Sequence, residues 1–98
     1  MSQFMVELTL PLQITEDFVQ TIPRHRAKIT ELMEQGKVNS YALAADRSKI
    51  WCVVRAESEL EVMDVIAELP LIGYLNPHIS KLMFNNAVAF RLPLFNLN

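Results

Sequence analysis

Apolar residues at Phe4, Val6, Leu8 and Leu10 alternate with Met5, Glu7 and Thr9, the period-two pattern of a strand with one strongly apolar face. Pro11 ends it. The period then changes: Phe18, Ile22, Ile29, Leu32 and Met33 recur at helical spacings and fall on one stripe. Thr15, followed by Glu16 and Asp17, supplies a hydroxyl cap and two acids at the positive end of the helix dipole, and Gly36 is a natural stop. Pro23 lies inside this pattern, where it removes a backbone donor and crowds the preceding turn, so a kink or a break into two helices is expected there.

Residues 37–45 and 49–56 read as two strands joined by the polar turn Asp46-Arg47-Ser48, a connection short enough to force them antiparallel. The second strand is apolar on both sides, with Ile50, Cys52 and Val54 pointing one way and Trp51 and Val53 the other. Ser58 with Glu61 forms a capping-box pattern, and Leu60, Val62, Met63, Ile66 and Leu69 supply a second amphipathic helix that Pro70 terminates. Gly73 and Pro77 bracket a loop before a fourth extended segment at about 79–84. The order predicts an α+β fold of the ferredoxin-like βαββαβ kind.

Two helices cover one face of such a sheet, so the apolar second face calls for a partner. The simplest is another copy, which gives a homodimer or larger homo-oligomer of the dimeric α+β barrel type. Residues 87–98 add an extra C-terminal extended segment carrying Val88, Phe90, Leu92, Leu94, Phe95 and Leu97. This tail either extends its own sheet or docks on a neighbouring protomer, and the second is favoured because an exposed apolar edge invites aggregation. The whole chain, 1–98, reads as one domain with its core at about 4–84.

Composition narrows the partners. A chain of 98 residues with 51% apolar content suits one domain, and at this size it buries only about 60–65% of its unfolded surface, so self-association adds stability. A net charge of −2 and a pI near 5.6 give no electrostatic footprint for nucleic acid. The lone Cys52 sits in an apolar run, which suits a reducing, cytoplasmic setting. Glu7 interrupts the first apolar run, and no run approaches membrane-spanning length, so neither export nor membrane insertion is expected.

The first strand ending at Leu10-Pro11, Gly36 after the first helix, Ser58 opening the second, and the Leu-Pro-Leu-x-x-Tyr-Leu segment at 69–75 resemble the muconolactone isomerase family. The resemblance covers about 4–84. It implies a ferredoxin-like fold assembled through its sheets, and a cofactor-free isomerase that shifts a carbon–carbon double bond in a small unsaturated lactone or acid. The proton leaves beside the carbonyl and returns at another carbon. Several polar positions of the family differ here. Its Trp-Arg pair on the second strand falls on Ala42-Leu43, its Leu-His on Val62-Met63, its Arg-His-Pro on Phe84-Asn85-Asn86, and its first-helix glutamate on His25.

His25 is therefore the candidate base. At 100° per residue it falls within about 40° of Ile29, on the sheet-facing side of the helix, and imidazole accepts protons near neutral pH. Arg26, at the margin of that face, is the candidate anion holder. Tyr41, Trp51 and Tyr74 are candidate ligand-binding aromatics. The competing structural reading makes His25 a helix residue hydrogen-bonded to a strand carbonyl or to Tyr41, Arg24, Arg26 and Lys28 solvated surface residues, Tyr41 and Trp51 core residues, Tyr74 a loop anchor, His78 a surface or interface residue, and Asn85 and Asn86 turn formers. The two histidines lie on different elements and no Cys/His pair has ligand spacing, so no metal and no cofactor are expected. The alternative to catalysis is a small-molecule-binding or oligomeric assembly module on the same scaffold. A cofactor-free oxygenase is a third reading, by fold analogy alone.

Overall fold

The computed structural model describes residues 1–87. Strand β1 (Ser2–Thr9) leads to helix α1 (Glu16–Glu34), strands β2 (Val38–Leu43) and β3 (Lys49–Ala56), helix α2 (Glu59–Ile66), a single 3-10 turn (Ile72–Tyr74) and strand β4 (Asn76–Lys81). The sheet order β2-β3-β1-β4, with every pairing antiparallel, is that of an α+β, ferredoxin-like fold. The expected tail at 87–98 lies almost wholly outside the described residues.

Local chemistry sets the element ends. The Thr15 hydroxyl accepts the Phe18 N–H at 3.2 Å, and Ser58 does the same for Glu61 at 3.2 Å. The Glu61 carboxylate reaches back to the Glu57 N–H at 3.1 Å, one residue earlier than a full capping box would place it. Helix α1 closes with Gly36 at φ +76°, where the Gly36 and Lys37 N–H groups donate to the carbonyls of Met33 and Leu32. This is a Schellman closure, and its left-handed residue is the reason for glycine. Replacing Thr15 with alanine is expected to cost about 1 kcal/mol in urea denaturation, because one amide of the first turn loses its acceptor.

Three expectations change. Helix α1 is one helix through Pro23, so the break into two is absent; the proline leaves the Val19 carbonyl without its intrahelical donor, with Phe18 and His25 buried on either side. Strand β4 starts at Asn76 and ends at Lys81, rather than spanning 79–84. Pro77 fits it because β4 is an edge strand, which has no second neighbour to need its missing donor. Met33, Leu60 and Met63 are exposed, so the buried stripes of both helices are narrower than the apolar pattern suggests.

One core joins the layers. Phe4, Val6 and Leu8 of β1 and Ile50, Cys52, Val54 and Ala56 of β3 meet Phe18, Ile29 and Leu32 of α1 and Val62, Val65 and Ile66 of α2. Leu69, Leu71 and Leu75 close its end. Both helices therefore lie on one sheet face. The other face carries Met5, Trp51 and Val53 among Glu7, Arg55, Ser40 and His78. It is more polar than the apolar run of β3 implied, and Val53 is already 96% covered by its own chain, being only 4% exposed.

Candidate active site

The site begins with an irregularity in β2. Val38 pairs with Val54 and Ser40 with Val53, so Asn39 is an extra residue that shifts the register. Strict alternation from the buried Val38 would turn Tyr41 away from the helices. The bulge reverses this, pairing Tyr41 with the inward Cys52 and aiming its ring toward α1. There it meets His25, which is 3% exposed. His25 Nε2 and Tyr41 Oη lie 2.7 Å apart, with ring centroids at 5.9 Å.

Both residues line an open groove of about 700 Å³ between α1 and the β2–β3 end of the sheet. Ile22 and Ile29 form its helical wall, Leu43 and Ile50 its sheet wall, and Leu10 and Leu71 contribute further apolar surface. Arg26 and Arg47 line it from opposite elements.

Burial sets the protonation states. It pushes the His25 imidazole below the ordinary value of 6.5, so the ring is neutral at pH 7. It pushes the Tyr41 phenol up to about 12, with neighbouring Cys52 adding to the rise and the positive charge of Arg26 opposing it. The pair is thus a neutral acceptor against a protonated phenol. His25 Nδ1 is buried and has no hydrogen-bond partner among the described residues. When the phenol donates to Nε2, the orphan is an N–H; when Nε2 carries the hydrogen, the orphan is a lone pair and the phenolic hydrogen is free to turn to the groove.

A pH dependence follows. The unfolded chain protonates its histidine near the ordinary 6.5, whereas the folded chain resists until lower pH. Between those two values the unfolded state binds more protons, so stability rises with pH. Urea unfolding from pH 8 to pH 5 should show full stability above the ordinary histidine range and a decline as pH falls through it toward the depressed folded value. His25→Gln should flatten that slope. The further loss at lower pH should persist, because Glu7, held down by the Trp51 hydrogen bond, and Asp46, held down by the Ser48 hydroxyl, titrate there.

The remaining candidates scatter. Trp51 lies on the opposite sheet face, where its indole donates to Glu7 at 3.0 Å beside a 3.4 Å Lys49–Glu7 ion pair. It therefore shares no groove with Tyr41 within one protomer. Tyr74 makes an edge contact with Phe18, centroids 5.3 Å apart, and anchors the 69–75 segment against α1. His78 is exposed on β4 opposite Glu7, and Asn85 and Asn86 are exposed beyond β4. The residue that sequence reasoning passed over is Arg47. It was legible only as part of a turn, although a non-glycine φ of +63° places it in the left-handed region.

Among the described residues no three His, Cys, Asp or Glu side chains gather as metal ligands would, and no helix is long and apolar enough to cross a membrane.

Known proteins supply the frame. A solved structure of 5-chloro-2-hydroxyhydroquinone dehydrochlorinase from Burkholderia phenoliruptrix AC1100, in complex with 2,5-dihydroxybenzoquinone, superposes with a TM-score of 0.66 at 16% identity, covering 85% of this chain and 95% of that one. The likeness places the chain in the dimeric α+β barrel fold. No curated protein matches the sequence significantly. The sequence profile described as muconolactone delta-isomerase matches residues 3–85, nearly the whole described chain. This chain belongs to the muconolactone delta-isomerase family.

Proposed function

We propose that the protein moves a proton within a small unsaturated lactone or acid held in the α1–sheet groove, and so shifts a carbon–carbon double bond without a cofactor. The 2.7 Å His25–Tyr41 contact carries this reading, because it sets a neutral base against a protonated phenol at the wall of a largely apolar groove. His25 Nδ1 is shut away, so the proton passes through Tyr41. Tyr41 Oη takes the hydrogen from the carbon beside the carbonyl while its own hydrogen passes to His25 Nε2. The hydrogen now on Tyr41 exchanges with water in the open groove before the steps reverse at the other carbon, and the two residues end as they began. Arg26 holds the carboxylate or the enolate oxygen that develops between the two steps. Trp51 and Tyr74 act outside the reacting groove, in the sheet face and the loop.

Incubating the protein with unsaturated lactones in D2O tests the reading directly. Deuterium should enter the positions beside and vinylogous to the carbonyl, and His25→Ala should lose the exchange. Absence of exchange with every lactone tried would favour the binding-module reading, which the loss of the family's polar residues at Ala42-Leu43 and Val62-Met63 supports.

The active unit in this proposal is a homo-oligomer paired through the face that carries Met5, Trp51 and Val53, in the cytoplasm, where the buried Cys52 thiol stays reduced. Sedimentation at micromolar concentration should give at least a dimer; a lone protomer would remove this part of the proposal.

A further inference from the structure

We infer that Arg47 is a second anion-binding residue, and that the ligand of the groove is an amphiphilic carboxylate with a rigid, fused-ring-sized apolar body. This rests on the reading of the groove as a ligand site.

Charge is the first ground. The chain as a whole carries −2, yet no Asp or Glu lines the groove, whose charged groups are Arg26 and Arg47. Among the described residues Arg26 and Arg47 make no ion pair, as is also true of Arg24, Lys37, Arg55 and Lys81, so their place on the groove is what sets these two apart. Two arginines lining one apolar groove that carries no carboxylate complement an anionic ligand, and a guanidinium is a planar fork that fits a carboxylate.

The backbone at Arg47 is the second ground. Its N–H closes the turn onto the Ala44 carbonyl at 2.9 Å, and Asp46 accepts from the Ser48 N–H and hydroxyl, so the turn is complete without the arginine side chain. Glycine or asparagine would hold φ +63° with less strain. The turn gains nothing from a β-carbon there. The groove does, because Arg47 lines it from the β2–β3 turn while Arg26 lines it from α1.

Size selects the apolar part. A space of about 700 Å³ lies within the range of pockets for drug-sized ligands. A single five-membered lactone acid leaves room beside it, which a lactone acid fused to a further ring would fill. Ile29 on the seated part of α1 and Leu43 and Ile50 on the strands give the groove regular walls, which suits a flat ring system better than a flexible chain.

Calorimetric titration of the full chain with 2-naphthoate, its neutral methyl ester and decanoate tests this. Naphthoate should bind roughly ten- to a hundredfold tighter than the ester. Arg47→Gln and Arg47→Gly should both lose most of that difference. The glycine variant should at the same time raise the melting temperature, since it relieves the left-handed residue. Equal affinity for acid and ester, or wild-type affinity in both variants, would overturn the assignment; tighter binding of decanoate than naphthoate would overturn the ring-shaped body. The two proposals fail separately. Lactone exchange that persists in Arg47→Gln at unchanged KM counts against Arg47 and leaves proton transfer standing. Arg47-dependent naphthoate binding by a protein with no exchange activity supports Arg47 and counts against proton transfer.

Discussion

Tyr41→Phe is expected to lower lactone exchange about 100- to 10,000-fold, the range of a positioned acid–base group. The substitution keeps the ring, its place opposite Cys52 and the groove wall, and removes only the oxygen through which the proton passes. The loss should therefore appear in kcat and leave KM nearly unchanged. His25→Ala should lose a similar factor, and the double variant should be no worse than either single one, because the two side chains act as one relay. Stability gives an independent check. Removing the phenol leaves both nitrogens of a 3%-exposed imidazole unpaired, at about 1–3 kcal/mol. Turnover at the wild-type rate in Tyr41→Phe would exclude the relay, whatever happened to stability.

Leu8→Ala should produce the largest loss of stability among single core truncations, about 2–5 kcal/mol in urea denaturation. Leu8 has no exposed surface and lies on β1, one of the two inner strands, with Ile50 beside it on β3 and Pro77 on β4. A cavity there is fenced by strands on both sides and by helices above, so little can collapse into it. Domains of this size hold about 5–15 kcal/mol in all, and each kcal/mol corresponds to about 4–8 °C in Tm. Leu60→Ala is the matched control: its side chain is 70% exposed, and the change should stay within about 0.5 kcal/mol. A similar cost at both positions would contradict the burial described for α2.

The contrast between Leu8 and Leu60 shows what the sequence carried. Alternation in β1, the Thr15 and Ser58 caps and the Gly36 closure were all legible, because each is decided by residues a few positions apart. The placement of His25 on the buried side of α1 was legible for the same reason, since helical phase is local. What could not be read depends on partners distant in the chain. The Asn39 bulge is a register mismatch between β2 and β3, and it alone decides that Tyr41 faces His25. Alternation along β3 already set Trp51 on the side opposite Ile50, Cys52 and Val54, but its hydrogen-bond partner Glu7 lies 44 residues away on β1. Leu60, Met33 and Met63 are apolar without being covered, because α2 has only 8 residues and α1 rests on the sheet along a narrow line. Arg47 was hidden inside a turn whose polar composition explained itself.

The missing hydrogen bond at Pro23 has a consequence for entry into the groove. The turns before it carry Phe18, Val19 and Ile22, which belong to the groove wall, and they are tied to the rest of α1 by one backbone bond fewer than a regular helix allows. At about 1 kcal/mol for such a bond, this stretch can loosen while the segment holding His25, Ile29 and Leu32 keeps its seat. Amide hydrogens of Val19 to Ile22 should then exchange with solvent deuterium faster than those of Ile29 to Met33, as a hinged door moves while its frame stays fixed.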